Sequence, residues 1–138
     1  MMWDGKKVSA SHQEALTLAI AANQTVACDL EAVRARPHSL WRELLGETAC
    51  AMAERIARER SEGLDCAASR LWTVMECLKK AGAPLHAPLV LEAASEDGWF
   101  LLRSGGLALA SCLMAVQGMN ERMAVAFAVV DGTTAHSS

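Results

Sequence analysis

Tyrosine is absent from this chain and phenylalanine occurs only twice. Without that bulk, the interior has to be built from Ala, Leu, Val and Met, and small side chains let neighbouring elements approach closely. Also missing is an excess of positive charge. Residues 1–87 carry 11 basic and 11 acidic side chains, residues 88–138 carry 2 and 5, and the net charge is −3. That balance lacks the electrostatic footprint of a nucleic-acid binder. No C-x-x-C pair occurs among the five cysteines Cys28, Cys50, Cys66, Cys77 and Cys112. An odd number at irregular spacing reads as small buried hydrophobes in a reducing compartment, not as a disulfide framework.

Targeting signals are missing too. The opening Met-Met-Trp-Asp-Gly-Lys-Lys is not followed by the apolar region of about 7–15 residues that a signal peptide needs. The apolar run 107–117 is too short to span a bilayer and is interrupted by Gly118 and Asn120. The expectation is a soluble, cytoplasmic protein that engages no membrane and no nucleic acid.

Signatures of catalysis are equally scarce. Ser104-Gly105-Gly106 and Ala110-Ser111-Cys112 lack the G-x-S-x-G elbow. Arg103-Ser-Gly-Gly106 has no Walker lysine and reads as a structural turn. The adjacent carboxylates Glu96 and Asp97 sit at a turn, where neighbouring side chains diverge. His12, His38, His86 and His136 are far apart in sequence and form no recognised ligand pattern with Cys or carboxylates. The sequence therefore predicts no catalytic residue, no cofactor and no metal site, and leans away from an enzyme.

What is present is apolar. Hydrophobic residues make up 52% of the 138 residues, enough for one folded domain instead of a disordered chain. Between Leu107 and Val130 the only charges are Glu121 and Arg122, beside the Gly118-Met119-Asn120 break. Segments so uniformly apolar have no face to offer water, so both halves should be buried by what precedes them.

Taken in order, residues 1–10 read as a tail pinned by Trp3. Ser11-x-x-Glu14 resembles a capping box, and Leu16, Ile20, Leu30 and Val33 predict a helix over about 11–34 that ends before Pro37. Trp41, Leu45, Thr48, Met52 and Ile56 predict a second helix over about 40–61. Its outer face carries the pairs Glu54–Arg58, Arg55–Glu59 and Arg58–Glu62. A third helix is expected over about 64–81, bounded by Gly63 and Gly82, forming a helical hairpin with the second. Residues 88–94 and 99–103 flank Ser95-Glu-Asp-Gly98 and predict a β-hairpin. The run 107–117 predicts a buried helix, 123–130 a last strand, and 133–138 a tail.

The expected fold is thus α+β, a single domain over 11–132, with three N-terminal helices packed on a small antiparallel sheet made of the hairpin and the final strand. A sheet of three strands has open edges, which favours a homodimer. The order helix–helix–hairpin–helix–strand over about residues 40–130 resembles that of the vinyl-reductase-type ligand-sensing domains and the related trafficking-complex subunits. No Cys follows Cys112, where the sensing domains carry their cysteine pattern. The resemblance concerns element order and transfers no residues.

Two functions follow from these readings. The first is a non-enzymatic adaptor, inhibitor or accessory subunit acting by contact with another protein, with Trp41, Arg42, Trp72 and Trp99 as candidate anchors, since Trp and Arg are enriched at such positions. The second is a small-molecule-binding sensory module, holding an apolar ligand between helices and sheet and shaped by Met52, Met75, Met114, Met119 and Met123.

Overall fold

Alternation with a period of two, not a helical period, governs the first third of the chain. A computed structural model describes residues 2–3, 6–13, 16–22, 26–84 and 87–130. Strands β1 (Met2–Trp3), β2 (Lys6–Gln13) and β3 (Leu16–Ala22) form an antiparallel three-stranded sheet, with β2 and β3 in register from Lys7↔Ala22 to Gln13↔Leu16. β4 (Val26–Ala32) starts a second sheet. The helix expected over 11–34 is therefore corrected to strands, and the helices are not N-terminal. Leu16 and Ile20 are four apart, which suits a strand as well as a helix; Leu18 between them and the series Val26, Cys28, Leu30, Ala32 settle the period.

Three helices follow, α1 (His38–Leu45), α2 (Glu47–Glu59) and α3 (Leu64–Lys80). The expected single helix over 40–61 is broken at Gly46, whose φ of +83° and ψ of 167° lie outside the helical region. The break resets the buried stripe from Trp41 and Leu45 to Cys50, Ala53 and Ile56. The expected ladder of charge pairs is shorter as well: Glu54 meets His38, and Glu62, beyond the end of α2 at Glu59, meets Arg70.

The remaining strands are β5 (Val90–Ala94), β6 (Phe100–Ser104), β7 (Leu107–Met114) and β8 (Met123–Val130). With β4 they form one antiparallel sheet in the order β4-β8-β7-β6-β5. The hairpin and the last strand are where the sequence puts them. The buried helix at 107–117 is not: it is β7, the central strand, paired on both sides. Ala and Leu favour helix locally, but a strand buried on both faces is also a continuous apolar run, and tertiary pairing overrides the propensity. The two-residue Gly105-Gly106 loop, with Gly105 at φ +57°, reverses the chain between paired Ser104 and Leu107.

The helices cover one face of the five-stranded sheet. Ala67, Ala68, Leu71 and Val74 of α3 belong to one core with Ala27, Phe100, Leu102, Leu109, Ala126 and Ala128 of the strands. The small residues of α3 and β8 are what let helix and sheet close on each other. On the other face Leu30, Cys112, Met123 and Val125 form a second core, against which Leu16 and Leu18 of β3 pack. The architecture is α+β, with the sheet between the helices and the N-terminal strands.

Arg70 crosses the first core almost fully buried, at 3% exposure. Its Nε donates to Glu62 Oε2 at 3.0 Å, and its Nη1 donates to the carbonyls of Gly98 at 3.0 Å and Ser111 at 3.3 Å. Its guanidinium lies 4.0 Å over the Phe100 ring. The outer edge of β4 is closed by side chains instead of another strand. The N–H of Cys28 donates to Ser9 Oγ at 3.1 Å, and Lys80 Nζ donates to the carbonyl of Cys28 at 2.9 Å and to Asp29 Oδ1 at 3.3 Å. Ser11, which the sequence suggests as a helix cap, instead donates to Asp29 Oδ1 at 3.2 Å. Such pairing removes an open strand edge.

Two outcomes test this description. A Cβ added at Gly46 meets nothing within 4 Å, so the cost of Gly46→Ala is conformational alone. It should be about 1–3 kcal/mol, read by thermal or urea unfolding; no loss would contradict the strained break. Lys80→Met should cost about 1–3 kcal/mol at pH 7, held to that range because the Lys80 side chain is 36% exposed. Burial already holds the Asp29 carboxyl above its ordinary range, with Lys80 opposing the rise. A raised folded-state value means stability is lost as pH climbs through it. The Lys80→Met deficit should therefore shrink between pH 7 and pH 5 in urea unfolding, and a deficit independent of pH would separate Lys80 from Asp29.

Candidate functional site

An apolar concavity with walls from several elements lies outside the helical layer. It arises because α3 ends in a Schellman turn: the N–H of Gly82 donates to the Lys79 carbonyl at 3.0 Å and that of Ala83 to the Leu78 carbonyl at 2.9 Å, with Gly82 at φ +81°. Pro84 then prevents the helix from resuming. Beyond α3, Ala83, Pro84, Ala87, Pro88 and Leu89 form one wall. Facing it are Leu45 from the end of α1, Thr48, Ala49 and Met52 of α2, and Met75, Leu78 and Lys79 of α3. Together they enclose a groove of about 440 Å³, open to solvent along one side.

Its chemistry is apolar with one cation. Lys79 pairs with Glu76 at 3.1 Å and lies 5.7 Å over the Trp72 ring. Two of the five methionines singled out in the sequence, Met52 and Met75, line the groove; Met123 and Met119 belong to the core on the opposite face of the sheet, and Met114 is exposed. A groove of this size can admit an apolar side-chain cluster or a small ligand. It lies between helices and residues 83–84 and 87–89, not between helices and sheet.

The candidate anchors do not share one surface. Trp41 is core, 2% exposed, with its Nε1 donating to Asp65 Oδ1 at 2.8 Å and Arg36 stacked 5.3 Å above its ring. Trp41 and Trp72 border a small niche of about 130 Å³ together with Glu31 and Arg36. Arg42 is exposed. Trp99 lies on the far side of the sheet, stacked on Phe127 with ring centroids 6.2 Å apart. Asp65 also accepts from the Arg36 N–H at 3.0 Å, so it fixes the approach to α1.

All five thiols are buried, and burial pushes each one up from its ordinary value. For Cys77 the rise is large, and its Sγ donates to the Ala126 carbonyl at 3.2 Å. Protonated, enclosed thiols are poor nucleophiles. Among the described residues one group could hold a metal ion: His38, Cys50 and Glu54, whose donor atoms all lie within 4.8 Å of one another. The sequence reading missed it because His38 is twelve residues from Cys50; the signal available was the one-turn spacing of Cys50 and Glu54. His12 is exposed and meets Thr17 Oγ1 at 2.9 Å. His86 and His136 lie outside the described residues, as does the tail expected at 133–138.

Comparison with protein-family models, curated proteins and solved structures finds no match for this chain. The element order behind the resemblance to the ligand-sensing domains is also not the one observed, since strands precede the helices and 107–114 is a strand. Among the described residues no helix is long and apolar enough to cross a membrane.

Proposed function

We propose that this chain is a non-enzymatic adaptor, inhibitor or accessory subunit that acts by contact with another protein, seating an apolar segment of its partner in the groove between α2, α3 and residues 83–84 and 87–89. The observation that carries the reading is the groove itself, with Leu45, Ala49, Met52, Met75 and Leu78 as floor and a proline-bounded wall opposite. Methionine side chains adapt to varied apolar shapes, and a helix laid in such a groove anchors through positions i, i+3 or i+4, and i+7. Burial of all five thiols argues against a thiolate enzyme. Groove volume favours one second reading, a small apolar ligand held by the same residues.

Self-association is one form of such contact. Within the five-stranded sheet the route through strand edges narrows to β5, because β4 is covered by β2 and Lys80. β5 is five residues long, carries a bulge between Leu91 and Ala93, and exposes Val90 at 54%. Short, bulged edges pair weakly, so the groove is the stronger candidate.

Selection of a displayed random peptide library on the full-length chain tests the proposal. Enriched peptides should carry apolar anchors at helical spacing and should lose at least tenfold in affinity on Met52→Glu and on Met75→Glu, in variants whose melting is otherwise that of the parent. Enrichment indifferent to both substitutions would place the contact elsewhere. A small apolar molecule retained in native mass spectrometry, and lost in the same variants, would favour the second reading.

A further inference from the structure

We propose that His38, Cys50 and Glu54 form a binding site for a zinc-class divalent ion, independent of the groove. Cys50 and Glu54 are four residues apart on α2 and so project from one face of the helix. His38 is the first residue of α1, and the break at Gly46 folds α1 back so that the imidazole reaches the same face. His38 Nε2 lies 2.5 Å from Glu54 Oε1, and Cys50 Sγ donates to the same oxygen at 3.8 Å. In a tetrahedral site with metal–sulfur and metal–nitrogen or –oxygen bonds of ordinary length, donors stand roughly 3.3–3.6 Å apart. The separations observed bracket that range, so side-chain adjustment without movement of the helices makes room for the ion.

The donor set selects the metal. One sulfur, one imidazole nitrogen and one carboxylate oxygen suit Zn²⁺ better than Mg²⁺ or Ca²⁺, which take oxygen alone. A thiolate and a carboxylate together neutralise a dication, which matters for a site whose floor is Cys50, 2% exposed. On binding, the sulfur–metal bond forms as the thiol proton passes to solvent. The exposed His38 leaves a path from solvent, and the fourth coordination position falls to water. Arg42 lies near enough for its charge to act on both Cys50 and Glu54; it opposes the ion, which sets the affinity below that of a four-ligand structural site.

Titration of the reduced full-length chain with Co²⁺ tests the assignment, since a thiolate ligand gives a sulfur-to-cobalt charge-transfer band and four-coordination gives intense visible bands. One equivalent of Co²⁺ should produce both, and Zn²⁺ should bleach them. Cys50→Ser should abolish the charge-transfer band. His38→Ala and Glu54→Gln alter the surface and leave the core intact, so they decide the matter even if the Cys50 variant folds poorly; each should weaken binding at least tenfold. The proposal is overturned if the parent chain gives no charge-transfer band, if the band survives Cys50→Ser, or if affinity is unchanged in both surface variants.

Discussion

A single buried guanidinium holds the helical layer to the sheet. Arg70 sits in the middle of α3 and reaches the α2–α3 connection through Glu62, the β5–β6 turn through the Gly98 carbonyl, and central strand β7 through the Ser111 carbonyl. Its planar face lies on Phe100, the residue paired with Ser111 across the sheet. A charge placed in a low-dielectric interior costs several kcal/mol unless it is both paired and hydrogen-bonded. Here Nε and Nη1 find partners in three different segments, so the desolvation penalty is offset only when all of those segments are in place. Arginine suits this position because its planar fork spans partners that a point-like ammonium cannot.

Lys80, at the other end of α3, plays the corresponding part for the N-terminal strands. It joins the carbonyl of Cys28, the carboxylate of Asp29 and, at 3.4 Å, the carbonyl of Ala10. Two of the cations of α3, ten residues apart, thus divide the work, one fastening the sheet's interior strands and one closing its β4 edge. Neither is exchangeable with an exposed cation such as Lys79, whose ion pair with Glu76 in water contributes little.

Much of the fold is legible in the sequence wherever local signals and tertiary context agree. Gly63 and Gly82 bracket α3, Ser95-Glu-Asp-Gly98 marks the β5–β6 turn, and the β-branched run 123–130 is β8. Legibility fails where one spacing serves two periods. Leu16 and Ile20 fit helix and strand alike, and an Ala/Leu/Met run such as 107–117 reveals its identity only through neighbours on both sides. Gly-Gly at 105–106 was the available clue to a hairpin. Arg70 was illegible for a different reason: a charge flanked by Ser69 and Leu71 reads as the edge of an apolar stripe, and its partners lie 8, 28 and 41 residues away. The groove was half legible, through Met52 and Met75, while its third wall depends on a Schellman turn whose consequence is geometric. Trp41, a candidate anchor by residue type, is occupied with Asp65 in the core.

The groove and the His38–Cys50–Glu54 cluster both rest on the helices keeping their places, and the helices are held in place by Arg70. The most direct measurement is the unfolding free energy of Arg70→Met by urea denaturation at pH 7. Methionine keeps much of the apolar stem and removes only the fork, leaving Glu62 and two carbonyls without their donor. Loss of about 3–5 kcal/mol is the outcome predicted for a buried charge network broken at its centre. A loss below about 1 kcal/mol, in the range of an exposed ion pair, would contradict the account.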